Sequence, residues 1–257
     1  MRRAAALVYG TVCYVAFFLT FLYAIGFLAN LVVPKSIDSG VPGPVGQAIV
    51  VNLALLSVFA LQHSVMARQG FKRMWTRIVP KPVERATYVL ASSAAMWLLF
   101  AFWQPIPGLV WSFTGFGGAL MTFFFFLGIA TVLYSTFLID HFDLFGLRQV
   151  VLYFQGKSYT EKHFATPSLY RHIRHPLYVG WFMSFWFTPQ MSVGHLLFAS
   201  VASAYILVAI LFEESDLLEM LGDDYRRWRE RTPMFIPRFG GRKAAGPAAA
   251  RTARQES

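Results

Sequence analysis

Long apolar stretches alternate with short polar connectors along the whole of the chain. A helix needs about 20 mostly apolar residues to cross a bilayer. Ala4–Val33 is the first such stretch and Pro34 ends it; Val45–Met66 is the second, with Asn52, Gln62 and His63 inside it. Thr87–Trp103 is the third, stopped by Gln104, Pro105, Ile106 and Pro107, and Gly115–Ile139 is the fourth, containing the run Phe123–Phe126. The last, Leu177–Phe212, is too long for one span and is interrupted between Pro189 and Gly194, which predicts a helical hairpin with a short first arm. The pattern predicts an all-α, polytopic membrane protein: four long transmembrane helices, then a C-terminal membrane helical hairpin and a cytoplasm-facing catalytic region. Residues 1–139 read as the N-terminal transmembrane helices and residues 140–239 as the catalytic region with the hairpin. Residues 240–257, made of Ala, Gly, Arg and polar residues, read as a disordered basic tail.

Composition agrees with the pattern. Only 14% of the residues are charged, against about 25% in a soluble domain. The net charge of +10 raises the question of an anionic partner. Its distribution answers it: the cations sit in short blocks beside apolar stretches, as orientation signals do. No aromatic-basic nucleic-acid module is present, so the expected partner is the lipid bilayer and not nucleic acid. Lys35 is alone in its connector and Trp103–Thr114 holds no cation, whereas Arg2, Arg3, Arg68, Lys72, Arg73, Arg77, Lys81 and Arg85 all fall on the other side. That asymmetry predicts an integral, multi-pass protein with N- and C-termini cytoplasmic. The single Cys13 excludes a disulfide framework. The first apolar run is too long for a removable signal peptide and lacks a small-residue cleavage site.

Chemistry-bearing side chains are concentrated in residues 141–239. His141, His163, His172 and His175 fall together, with Tyr170, Arg171 and Arg174 among them. The second hairpin arm then ends in Glu213 and Glu214, followed by Asp223, Asp224, Tyr225 and a run of arginines. If the hairpin turns near Met191–Gly194, Arg171–His175 lies opposite about Val208–Phe212, within about one helical turn (5.4 Å) of the two glutamates. Pro176 suits the first turn of the arm, so Arg174 and His175 stand just before a helix N-terminus, where an anion is favoured. His172 and His175 stand three residues apart, a spacing that one cation site would tolerate, but His63 and His195 are elsewhere and no metal is expected. Gly115–Gly118 opens a span and follows no strand, so close helix packing explains it better than a nucleotide loop.

Arg174-His-Pro-Leu-Tyr-Val-Gly180, followed by Glu213-Glu214, Gly222-Asp-Asp-Tyr225 and Ile236-Pro-Arg238, resembles the pattern of the isoprenylcysteine carboxyl methyltransferase superfamily. The resemblance covers about residues 160–239. Within that superfamily Asp140-His-Phe-Asp-Leu-Phe-Gly-Leu-Arg148, His163-Phe-Ala-Thr-Pro167 and Leu169-Tyr170 look most like the membrane methanethiol S-methyltransferases, and the NnrU-like proteins are similar too. The resemblance implies a helical membrane enzyme that binds S-adenosylmethionine and methylates a small thiol, methanethiol to dimethyl sulfide. It makes Tyr170, His172, Arg174, His175, Tyr178, Glu213, Glu214, Tyr225 and Arg238 candidates for holding that cofactor. Carboxyl methylation of a prenylated cysteine and a non-catalytic membrane role are the alternatives.

The residue chemistry is compatible with such a ligand. A carboxylate asks for Arg, His or a helix N-terminus, and an ammonium or a ribose diol asks for carboxylates. Aromatic faces such as Tyr178 and Trp181 suit adenine or a sulfonium cation. Methyl transfer to sulfur is an in-line displacement in which the protein aligns the reactants. A thiol also benefits from a base or a nearby cation; His163 or His141 is the expected base, with Arg171 or Arg174 supplying positive charge.

Overall fold

The computed structural model describes residues 2–160 and 165–237. Among the described residues, five helices are long and apolar enough to cross a membrane: α1 (Arg2–Ala29), α2 (Val45–Ala67), α4 (Lys81–Phe102), α5 (Gly115–Leu138) and α9 (Val193–Leu221). A short helix α3 (Gln69–Trp75) follows α2, and α6 (His141–Leu144) and α7 (Leu147–Phe154) follow α5. A 3-10 turn over Ser168–Arg171 leads into α8 (Pro176–Trp186), and α10 (Asp223–Arg231) follows α9. The protein is an all-α polytopic membrane protein. Large apolar side chains on the outer faces, such as Phe116 at 83% and Leu211 at 67% exposure, point at lipid.

The hairpin has the expected form. Helix α8 is the short arm, α9 the long one, and the turn between them is pinned by a feature the sequence pattern does not show. Strand β1 (Leu109–Ser112), before α5, pairs antiparallel with β2 (Gln190–Ser192), before α9, in the register Leu109 to Ser192 and Ser112 to Gln190. The hairpin turn therefore sits beside the α4–α5 connector. Around it, Ser192 donates to Asp38, Asn52 brackets Gln104, and Trp103 donates to the carbonyl of Ile37. The opposite face holds Arg2, α3, α6, α7 and α10, and so most of the cations; it is called the basic face below.

Two close approaches set the packing. Helices α5 and α8 meet through Gly128, Gly180 and Ser184: a Cβ at Gly128 would lie 2.7 Å from the Gly180 carbonyl oxygen and 2.8 Å from the Cβ of Met183. Small residues are what allow membrane helices to approach so closely. At the basic face the chain leaves α5 through Asp140, whose left-handed backbone and carboxylate cap α6 by accepting from the Asp143 N–H. Gly146 (φ +85°) then turns it against the backbone of Ala86, where no Cβ fits. Arg148 pairs with Asp143 at 3.0 Å, and Tyr159 donates to the same carboxylate at 3.1 Å. The Asp140–Arg148 motif is thus explained as a cap, a turn and an ion pair that hold α7 under α1 and α4.

Enlarging Gly128 should separate α5 from α8. Gly128→Val is expected to lower stability by about 1–3 kcal/mol, the usual cost of overpacking, read as an earlier unfolding midpoint in detergent; Gly117→Ala, which meets only Phe113 at 3.6 Å or more, should change it little.

Candidate functional site

Pro176 opens α8, and its ring keeps the preceding His175 out of the helical conformation (φ −126°, ψ 59°). The chain therefore reaches α8 extended along the C-terminal segment, with the Arg174 N–H donating to the Pro233 carbonyl (2.9 Å) and the His175 N–H to that of Met234 (3.2 Å). This brings both side chains onto the end of α9. Arg174 Nε donates to Glu214 Oε1 at 2.8 Å and His175 Nε2 donates to the same oxygen at 3.0 Å. Arg229 Nη1 lies 3.6 Å from Oε2. Arg174 Nη1 also donates to the carbonyls of Arg229 (3.1 Å) and Thr232 (2.6 Å). One guanidinium thus joins the start of α8, the end of α9 and the end of α10. The opposition of Arg174 and His175 to the glutamates, expected within about a turn, is a direct contact.

The two glutamates differ in surroundings. The Glu214 side chain is 10% exposed and fully engaged. That of Glu213 is 46% exposed and accepts from the Tyr178 hydroxyl at 2.9 Å, with His175 Nδ1 3.9 Å away. Tyr178 stacks on His175 (5.5 Å between centroids), and His175 also faces Phe235. Burial, reinforced by Glu213, raises the Tyr170 phenol well above its ordinary range. Tyr225 is wholly buried in the first turns of α10; burial, then Glu214 and Glu213, raises its phenol in the same way. Burial therefore favours the protonated form of both phenols.

Arg171 and His172 are exposed at the basic face, just before the α8 N-terminus. His163 and Arg238 lie outside the described residues. His141 stands in a separate setting. It is 3% exposed, ringed by Phe17, Phe137 and Phe145, with Nε2 2.8 Å from the Tyr14 hydroxyl and Nδ1 2.8 Å from Thr136 Oγ1. Thr136 gives its own proton to the Leu133 carbonyl, so it accepts from Nδ1–H, and Nε2 accepts from Tyr14. Burial lowers the His141 pKa, which keeps the ring neutral. His141 borders a cavity of about 370 Å³ with Phe137, Asp140, Phe142 and Ala165. Among the described residues, no three His, Cys, Asp or Glu side chains are grouped to hold a metal ion. Arg229 is the clamp residue that the sequence pattern did not single out.

Several relatives are similar over nearly the full length. The chain is 52% identical over 245 residues to a methanethiol S-methyltransferase of Crocosphaera subtropica, covering 95% of this chain and 96% of the relative. It is 52% identical over 238 residues to a methanethiol S-methyltransferase of Mycobacterium tuberculosis (92% and 98%) and 51% identical over 241 residues to methanethiol S-methyltransferase 2 of Bradyrhizobium diazoefficiens (94% and 93%). No family model and no solved structure matches.

The clamp carries a stability prediction. Removing one partner of a buried, hydrogen-bonded ion pair costs about 3–5 kcal/mol, so Glu214→Ala should unfold far earlier in detergent than the parent. Asp216→Ala breaks a half-exposed pair with Arg68 (3.1 Å) and should cost at most about 1 kcal/mol. Equal losses would contradict the clamp.

Proposed function

Since the chain belongs to the methanethiol S-methyltransferase family, we propose that it is an S-adenosylmethionine-dependent enzyme that methylates a small thiol, methanethiol to dimethyl sulfide, at the cytoplasmic face of the membrane. The observation that carries this reading is the division of labour between the two glutamates: Glu214 locks the hairpin base, which leaves the half-exposed Glu213 and its Tyr178 partner free to meet a ligand.

The donor set fits the cofactor. Glu213 suits a ribose diol or an ammonium, Tyr170 and Tyr178 offer aromatic faces, and Arg171 and His172 suit a carboxylate at the α8 N-terminus. In this reading Arg174, His175, Glu214 and Tyr225 position those groups, and Arg238 remains a proposed cofactor-site residue on the resemblance alone. S-adenosylmethionine supplies an activated methyl group on a positively charged sulfur. The protein's part is to orient donor and acceptor, to exclude water through the aromatic lining, and to accept the thiol proton. His141 has both ring nitrogens engaged and organises the α5–α6 junction; His163 lies near Tyr170 in sequence and remains a proposed base. The cation asymmetry supports assigning the basic face, and with it both ends of the chain, to the cytoplasm.

Purified protein given labelled S-adenosylmethionine should form S-adenosylhomocysteine with methanethiol and much less with a farnesylcysteine analogue. The reverse preference would favour the prenylcysteine reaction, and no turnover with any thiol would refute thiol methylation. Glu213→Gln should weaken cofactor binding by about tenfold or more in calorimetry, the loss of one charge-assisted hydrogen bond. Arg77→Ala, on an exposed residue after α3, should bind as the parent does.

A further inference from the structure

Helices α2 and α4 pack directly on each other, and neighbouring helices of a bundle are usually joined by about 2–8 residues. Here residues 68–80 join them, and they contain a helix of their own, α3. Arg68, between α2 and α3, is extended (φ −69°, ψ 140°), so α3 does not continue the axis of α2. The lipid-facing side chains of α2 include Leu61 and reach Val65, so the bend comes where that helix leaves the apolar layer. The neighbour on which α3 mainly packs is α2.

The connector winds helically as far as Val79, whose N–H donates to the Trp75 carbonyl at 2.9 Å, as that of Ile78 does at 3.0 Å. Over this length Phe71, Met74, Trp75 and Ile78 stand at the spacing i, i+3, i+4, i+7 and form one apolar stripe. The rest of the protein leaves much of that stripe open: Met74 is 54% and Ile78 77% exposed. Arg73 and Arg77 flank it, both exposed, and Lys81 follows along the chain. The first acidic residue after Arg68 is Glu84.

The two other cations of the connector have partners within the protein. Lys72 lies within electrostatic reach of Glu84 and Asp216. Arg68 pairs with Asp216 at 3.1 Å and its guanidinium lies over the Phe212 ring at 4.4 Å. These contacts root α3 on α9, on either side of Glu213, and leave Arg73 and Arg77 for a partner outside the chain.

An apolar stripe flanked by cations, at the level where a span leaves the lipid, is the pattern of a helix lying in the headgroup layer. An acidic protein would answer the cations, but not an apolar stripe that begins where the lipid-facing residues of α2 end. A zwitterionic headgroup balances its own phosphate, whereas an acidic lipid leaves a net charge for the guanidinium groups. We propose that residues 69–79 are a docking surface for acidic phospholipids of the leaflet on the basic face, with Met74 and Ile78 in the acyl boundary and Arg73 and Arg77 on the headgroups. The inference does not depend on the methyl-transfer reading.

The test puts a polarity-sensitive fluorophore on Met74→Cys. The native Cys13 is buried, and the parent taken through the same labelling reports any signal from it. Bilayer discs are made of phosphatidylcholine alone or of phosphatidylcholine mixed with phosphatidylglycerol. In the mixture the emission should move to shorter wavelength and be quenched by acyl-chain spin labels, and high salt should reverse the shift by screening the charges. Adding Arg73→Gln and Arg77→Gln should raise the phosphatidylglycerol content needed for half the shift by about fivefold or more. Arg226→Gln with Arg227→Gln, exposed cations that already pair with Asp223 and Asp224, should leave it within about twofold. The lipid and salt comparisons need no arginine substitution, so they stand even where a double variant fails to fold. One spectrum in both bilayers, a shift indifferent to salt, or an equal effect of the two arginine pairs would overturn the proposal. Quenching by a water-soluble quencher alone in both bilayers would overturn it as well, and would point to a protein on this face.

Discussion

A carboxylate held at the edge of an apolar helix bundle must be compensated, and Glu214 is compensated by Arg174, His175 and Arg229 at once. Most of the basic face is arranged by that requirement. The extended approach to α8 lets Arg174 and His175 reach the end of α9, and the carbonyls of Arg229 in α10 and Thr232 just after it take the rest of the Arg174 guanidinium. Pro176 lets the chain stop being extended and start being helical within one residue. The half-exposed Glu213, one residue earlier on α9, takes its position from the same clamp.

The far end of the hairpin is fixed by different physics. In lipid, backbone polar groups need partners within the protein. The non-helical residues between α8 and α9 find them in a two-stranded pairing with the α4–α5 connector. Between the two ends, the glycine contact of α5 with α8 holds the short arm close against its neighbour. The site is therefore anchored by charge on one side, by strand pairing on the other, and by close packing between.

Much of this was legible in the sequence because its signals are local. Apolar run length marked the spans, the Pro189–Gly194 interruption marked the hairpin, and hairpin geometry alone set Arg174 and His175 against the glutamates. What stayed hidden depends on tertiary meetings. Strands of three and four residues among Pro and Gly have no readable period. Arg229 stood in an arginine run with nothing to separate it from its neighbours. His63, Tyr88 and Tyr205 each look like an isolated polar residue in its own span, and their common depth emerges only when three helices are packed. The helix α4 also begins at Lys81, six residues before the apolar pattern at Thr87, because Pro82 and Glu84 suit a first turn without being apolar.

The central claim is that the Glu213–Tyr178 side of the clamp receives the methyl donor, and a structure with S-adenosylhomocysteine bound tests it most directly. The account predicts the ligand against Glu213, Tyr178 and Tyr170, with the Glu214 clamp unchanged. A ligand seated instead in the cavity beside Asp140 and His141, or on the opposite face near Lys35 and Gln104, would contradict it.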